Sequence, residues 1–169
     1  MTQYNVLVRN KVTFAIYDVL GDIVCGGFAQ PMRKGYAYEL YLITSGELMA
    51  LYAANNIASA VTAMIGEGAH VSVAGIVNNM RNVPQEVELI AEFAQKLGVP
   101  VMANIPRSVL VQHSELQQKT VVEAFPDSDQ AQAYTQLANT ILENDVRVVP
   151  TPIGIDDIVQ LLVKYQAFA

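Results

Sequence analysis

The sequence predicts a single α/β domain of 169 residues, built as a three-layer sandwich around a mostly parallel sheet. Short runs rich in β-branched residues alternate with longer segments in which apolar residues recur at helical spacing, and this alternation is typical of βαβ units. Apolar residues make up 52% of the chain and charged residues 15%, which favours strands that are buried on both faces. No low-complexity linker divides the chain, so we expect residues 1–169 to share one core.

Five segments have the composition of strands, with Val, Ile, Tyr and Thr between polar or glycine-containing breaks. The predicted strands cover residues 12–18, 39–45, 70–79 and 99–106, with a shorter strand or edge at 146–152. Residues 3–10 also alternate in the manner of a strand, and a reversal at Asn10 and Lys11 would join them to the first strand as a hairpin.

Four helices are predicted from the 3.6-residue spacing of apolar positions. They cover residues 45–65, 84–98, 127–144 and 155–166. Ser45 is the predicted N-cap of the first helix, Gly98 ends the second, and Asp127 with Gln130 is the predicted capping box of the third. The predicted inward faces are Leu51, Ala54, Ala58, Val61 and Ile65 on the first helix, and Val87, Ile90, Ala91, Ala94 and Leu97 on the second.

Composition argues against several classes of function. The net charge is −6, and beyond Arg33 and Lys34 the basic residues form no cluster, which disfavours binding to nucleic acid. We find no apolar run of the roughly 18–20 residues that a membrane span needs and no signal peptide. A lone cysteine forms no internal disulfide, so we expect a cytoplasmic protein.

The predicted strand ends locate the functional site. In open α/β sheets, ligands bind beyond the carboxyl ends of the strands. In this sequence those ends are at Asp18, Ser45, Asn78 with Asn79, and residues 105–107. We therefore expect the functional site among these positions.

The stretch YDVLGDIVCGGFAQP, residues 17–31, holds the only cysteine of the chain. Two glycines follow Cys25, so backbone N–H groups can approach its sulfur as they do around iron–sulfur clusters, but a small buried residue in a turn has the same pattern. Asp18 can hold Mg²⁺ through water, and Gly21 lets a backbone amide approach a phosphate. A polar boundary between strand and turn has the same D-x-x-G pattern, and the residues alone leave both questions open.

Other catalytic and metal-binding patterns are missing from the sequence. His70 and His113 are far apart and have no Cys or carboxylate partners at ligand spacing, and no G-x-S-x-G elbow occurs. There is also no G-x-x-x-x-G-K-S/T motif. A loop with the features of a phosphate sensor therefore occurs without a loop that cradles phosphates.

Several motifs occur together and in one order: YDVLGDIVCGGFAQP, SGELMALYAANNIASAV, NNMRN, IPRSVLVQHSELQQKTVVE and QAQAY. With them, the chain resembles the nitrogenase iron protein family over residues 14–165. The resemblance implies the C-terminal part of a P-loop NTPase fold of the iron protein type. It also implies that family's activity, in which a homodimer holds a 4Fe–4S cluster between its subunits, binds Mg-ATP, and passes electrons to a larger partner protein.

The resemblance also implies roles for individual residues. Cys25 is one of the two cysteines that each subunit gives to the cluster. Asp18 is the switch II aspartate on the Mg²⁺ side, Gly21 senses the γ-phosphate, and Asp22 orients or deprotonates the attacking water. The residues that the resemblance places around the adenosine are Asn79, Pro106, Arg107, Gln112, Glu115 and Gln130.

The likeness lacks the family's N-terminal part, which carries the phosphate-binding loop, switch I and the second cluster cysteine. A dimer of this chain offers two thiolates where such a cluster generally takes about four, so we expect neither stable cluster binding nor ATP hydrolysis by this chain alone. Three interpretations follow: an iron-protein-like reductase subunit without that part, one half of a split nucleotide-binding protein, and a non-catalytic binding or regulatory module. Three alternatives remain for the place of the family's central strand: residues 3–10 as a hairpin, a second copy of the chain, or an absent partner half.

Overall fold

The sheet is three-stranded and parallel. The computed structural model describes residues 10–19, 31–32 and 35–165. In these residues the strands are β1 (Glu39–Thr44), β2 (Ser72–Asn79) and β3 (Val101–Ile105), in the order β1-β2-β3. Both strand pairings, β1 with β2 and β2 with β3, are parallel, which confirms the α/β prediction and the predicted strands at 39–45, 70–79 and 99–106.

Strand β2 is the centre of the sheet and is buried from Val73 to Asn78. Its sequence, SVAGIVNN, is a continuous run of small and branched apolar residues up to the two asparagines, as expected for a strand covered on both faces. Parallel neighbours need crossover connections. These are provided by α1 (Leu48–Gly66) between β1 and β2 and by α2 (Glu86–Leu97) between β2 and β3.

Helix α1 buries the face that its periodicity predicts: Leu51, Ala58 and Val61 are inaccessible to solvent. By length and composition this helix could cross a membrane, so the expectation that no apolar run is long enough was wrong. Its apolar face nevertheless packs into the core, against β1 and β2. The predicted N-cap was also wrong, because Glu47 occupies the N-cap position and the Ser45 hydroxyl donates to Glu47 Oε2 at 3.2 Å.

Helix α2 is rotated relative to its predicted inward face. Val87 is 41% exposed and Ala91 is exposed, whereas the buried positions are Glu86, Leu89, Ile90, Phe93, Ala94 and Leu97. The physical reason is the burial of Glu86, which sets the phase of the helix because side chains three, four and seven positions later share its face. The predicted end of the helix at Gly98 is confirmed by a left-handed C-cap with φ +70°.

Four further helices follow β3. They are α3 (Leu110–Leu116), α4 (Val121–Ala124), α5 (Asp129–Glu143) and α6 (Ile155–Lys164). The capping box predicted from Asp127 and Gln130 was wrong, because Ser128 is the N-cap of α5 and its hydroxyl accepts from the backbone N–H of Ala131 at 3.2 Å. A capping box occurs instead at α4, between Thr120 and Glu123.

Helices cover both faces of the sheet. Leu42, Val73 and Ile76 belong to one hydrophobic core with residues of α1, α2 and α6. Tyr41 points to the opposite face, where Asn144, directly after α5, donates to the Tyr41 hydroxyl at 3.2 Å. The predicted three-layer arrangement is therefore confirmed. The predicted edge strand at 146–152 is reduced to one antiparallel bridge between Val73 and Val148.

The predicted strand at 12–18 was wrong. These residues are irregular, and Phe14 and Ile16 are 55% and 84% exposed. A strand needs a ladder partner, and in the described part of the chain the outer edge of β1 pairs with nothing. A turn does lie at Asn10 and Lys11, but the proposed partner strand up to residue 9 falls outside the described residues.

A buried asparagine fixes the segment that leads into α6. Asn55 on α1 is 6% exposed. Its Nδ2 donates to the carbonyl of Ile153 at 2.9 Å, and its Oδ1 accepts from the Ile153 N–H at 2.9 Å. One side chain therefore satisfies both backbone groups of a residue 98 positions away.

We predict that Asn55→Ala lowers the free energy of unfolding by about 1–3 kcal/mol, because it leaves partly buried backbone groups of Ile153 without partners. Urea unfolding followed by circular dichroism measures the change. Asn56→Ala is the matched control, because Asn56 is only half-buried and makes no side-chain hydrogen bond among the described residues. Equal losses in the two variants would contradict the assigned role of Asn55.

An exposed charged cluster links α2 to the end of α6. The hydrogen bond from Lys164, and then that from Tyr165, lowers the pKa of the Glu92 carboxyl below its ordinary value of 4.5. The same contact with Glu92 raises the pKa of Lys164 and of Tyr165. A carboxyl whose folded pKa is lowered stabilises the fold above its unfolded pKa, and this contribution is lost as the pH falls through the folded value.

We therefore predict that Glu92→Gln melts at a lower temperature than the wild type at pH 7, and that the difference shrinks as the pH is lowered below about 4.5. Thermal melts at pH 7 and pH 3 measure it. Lys164→Met, which removes the same contact from the other side, should show the same convergence. A difference that is constant across this range would show that the ion pair does not contribute.

Candidate functional site

The carboxyl ends of the three strands meet at one edge of the sheet. Thr44 is in register with Asn78, and Asn78 with Asn104. Asn79, the last residue of β2, is in register with Ile105, which directly precedes Pro106. The parallel pairing thus brings side-chain amides and hydroxyls together where ligands bind in folds of this class.

Asn78 is buried completely and only partly hydrogen-bonded. Its Nδ2 donates to Asn104 Oδ1 at 2.9 Å. Its own Oδ1 accepts no hydrogen bond within the described part of the structure. A buried acceptor without a partner costs about 1–3 kcal/mol, so the Asn78 side chain adds little to the stability of the fold.

A cleft of about 580 Å³ lies beside this edge, between the loop after β3 and the start of α5. Its walls are formed by Pro106, Ser108, Leu110, Asp127, Ser128, Asp129 and Gln130. Gln130 is 5% exposed, and its Nε2 finds no acceptor among the described residues. The wall of the cleft therefore contains a residue with a buried N–H donor that has no acceptor in the described structure.

The charge of the cleft limits what it can bind. Two acidic residues, Asp127 and Asp129, are exposed at its wall. Carboxylates accept hydrogen bonds from hydroxyl groups and repel phosphates. A neutral, polar ring with attached hydroxyls suits this lining better than an anion does.

The structure brings some of the predicted site residues together. Pro106 and Gln130 line the cleft, and Asn79 lies beside Pro106 through its register with Ile105. The other predicted adenosine residues, Arg107, Gln112 and Glu115, are exposed near the cleft, in the loop after β3 and on α3.

Of the predicted phosphate and cluster residues, the structure describes Asp18 alone. Asp18 is exposed in an irregular segment and does not end a buried strand. Gly21, Asp22 and Cys25 lie outside the described residues. The described ranges contain no group of three or more His, Cys, Asp or Glu side chains that could hold a metal ion, so the cluster ligand at Cys25 stays a prediction.

Sequence reasoning missed Ser108, Asp127 as a wall residue, and Ser128. Ser128 has two functions, since it caps α5 and lines the cleft. The sequence signal for Ser128 is the triplet DSD, residues 127–129, which precedes a segment with helical spacing. Each residue of this triplet is a good N-cap.

Comparison with known proteins places the chain among iron–sulfur proteins. A family model described as "4Fe-4S iron sulfur cluster binding proteins, NifH/frxC family" matches residues 2–168. The nitrogenase iron protein of Methanospirillum hungatei JF-1 is 49% identical over 151 residues, which are 89% of this chain and 54% of that relative. The chain thus spans about half the length of this curated relative. Among solved structures, the cell division ATPase MinD of Pyrococcus furiosus matches with a TM-score of 0.49 and 22% identity, over 63% of this chain and 43% of that one.

We predict that Asn78→Leu changes the free energy of unfolding by less than about 1 kcal/mol, or raises it, because the lost hydrogen bond is offset by removal of a buried acceptor without a partner. Asn104 is exposed, so water can solvate its freed oxygen. Urea unfolding of the two proteins tests this. A loss as large as that of Asn55→Ala would mean that Asn78 Oδ1 is fully satisfied in the folded chain.

Proposed function

Because this chain belongs to the NifH/frxC family of 4Fe-4S iron–sulfur cluster-binding proteins, we propose that it forms the nucleoside-binding part of an ATP-gated electron-transfer subunit of the nitrogenase iron protein type. The observation that carries this proposal is that Gln130 lines the cleft at the carboxyl edge of the sheet and that its buried Nε2 has no acceptor among the described residues.

The lining of the cleft suits adenosine. Gln130 Nε2 donates to a ring nitrogen of the base, and the amide of Asn79 lies at the same edge. Asp127 and Asp129 accept from the ribose hydroxyls. Arg107, Gln112 and Glu115 surround the ring from the loop after β3 and from α3.

The phosphates lie outside this cleft, because its carboxylates disfavour them and because the sequence contains no G-x-x-x-x-G-K-S/T motif. We assign Asp18 to the Mg²⁺ side, Gly21 to the γ-phosphate and Asp22 to the attacking water by their match to the family's motif. By itself the chain is expected not to hydrolyse ATP, because its sequence contains no motif of the kind that cradles phosphates.

Cys25 is the proposed ligand of a 4Fe–4S cluster, which supplies one-electron transfer when bound. The residues of this sequence give a homodimer two of the about four thiolates that such a cluster takes, so further cysteines are needed to complete it. The physiological partner in this proposal is a larger reductase protein that accepts the electrons.

A second candidate is one half of a split nucleotide-binding protein. The open outer edge of β1 within the described residues favours it, because a separate chain carrying a phosphate loop could add a strand there. Co-expression with such a chain should then give a stable complex. A non-catalytic module should instead bind neither adenosine nor that chain.

We predict that the chain binds adenosine weakly and that Gln130→Leu weakens binding at least about tenfold, because one hydrogen bond to the ligand is lost and a polar pocket becomes apolar. A titration followed by amide NMR shifts measures it. Gln132→Leu is the matched control, since Gln132 is exposed on the same helix.

ATP should bind no more tightly than adenosine in this titration. Equal losses in the two variants would contradict the assignment of the cleft. Turnover of ATP that vanishes in Asp22→Asn would contradict the proposal that the chain alone does not hydrolyse it.

A further inference from the structure

Glu86 is a buried carboxylate held by backbone amides of two loops. It is 2% exposed at the start of α2. Its Oε1 accepts from the N–H of Gly46 at 2.7 Å, and its Oε2 from those of Arg81 and Val83 at 2.9 and 3.1 Å. In the part of the chain that the structure describes, no ion pair to Glu86 occurs, and backbone N–H groups are the donors to its carboxylate.

Gly46 makes room for this carboxylate. A Cβ at position 46 would lie 2.9 Å from Glu86 Cγ and 3.1 Å from Val83 Cβ. The close approach of the Glu86 side chain, and not a left-handed turn, therefore accounts for the glycine of the SGE motif.

The loop after β2 is held in an unfavourable backbone conformation. Asn82 and Gln85 have φ of +62° and +49°. Residues other than glycine keep such angles only when their surroundings over-determine them. Two sets of hydrogen bonds hold this loop. Glu86 accepts from the backbone N–H groups of Arg81 and Val83, and the Met80 N–H donates to the carbonyl of Ile105 at 3.0 Å.

We propose that Glu86 is a positioning residue, whose carboxylate clamps the loop after β2 to the loop after β1 and so holds Asn79 and Arg81 at the ligand edge of the sheet. The role depends on the charge and on two acceptor oxygens. A glutamine of the same size replaces one acceptor with a donor that faces a backbone N–H. The expected effect on ligand binding rests on the nucleoside site proposed above. The clamp itself, meaning the hydrogen bonds that Glu86 accepts, can be measured without a ligand.

The test compares the full chain with Glu86→Gln and with Glu88→Gln, an exposed control on the same turn of α2. Hydrogen exchange read by NMR should show the amides of Gly46, Arg81 and Val83 exchanging at least about tenfold faster in Glu86→Gln, because hydrogen bonds to a charged acceptor are among the strongest. The exchange of β2 amides should be unchanged, and adenosine should bind at least about tenfold more weakly. Glu88→Gln should match the wild type in all three.

Unchanged exchange at those three amides overturns the clamp, and faster exchange with unchanged adenosine binding overturns the proposal that the clamp positions the ligand edge. Absence of adenosine binding in the wild type overturns the proposed function, while the exchange data still decide whether the clamp exists. If Glu86→Gln does not fold, Gly46→Ala displaces the carboxylate without changing its charge. It should produce the same local loss of protection at Arg81 and Val83, and intact protection there overturns the proposal.

Discussion

The parallel pairing of β2 with strands on both of its sides is the constraint on which the rest of the structure depends. Parallel neighbours cannot be joined by tight turns, so α1 and α2 must cross over the sheet and supply the core that buries it. The same pairing brings all three carboxyl ends to one edge. The position of the candidate site therefore follows from the sheet, and the loops only supply its side chains.

Buried amides have opposite functions in this fold. Asn55 has both its donor and its acceptor satisfied by one backbone residue, and it anchors the chain before α6. Asn78 and Gln130 are as deeply buried but each keeps one polar atom without a partner in the described structure. A network that stabilises the fold needs a hydrogen-bond partner for every buried polar atom. A ligand, in contrast, needs a polar atom that still lacks a partner.

The base and sugar of the proposed nucleotide need a different electrostatic environment from its phosphates. The described residues offer an amide donor and carboxylates, which fit a base and a sugar, at one edge of the sheet. Phosphate binding needs a loop of backbone amides and a cation, and no such motif occurs in this sequence. Within the described residues the outer edge of β1 is unpaired, so a further strand can be added there.

The sequence by itself determined the α/β class, the three paired strands, the buried face of α1 and the end of α2 at Gly98, because these depend on composition and spacing within one segment. The motifs also identified the family. Only the tertiary structure decided the rotation of α2, which depends on Glu86 contacting Gly46, 40 residues earlier. It likewise decided the irregular course of residues 12–18, because an alternating segment becomes a strand only beside a partner strand. It also decided that Ser128 and not Asp127 is the N-cap of α5, because both side chains are suitable and only the backbone geometry distinguishes them.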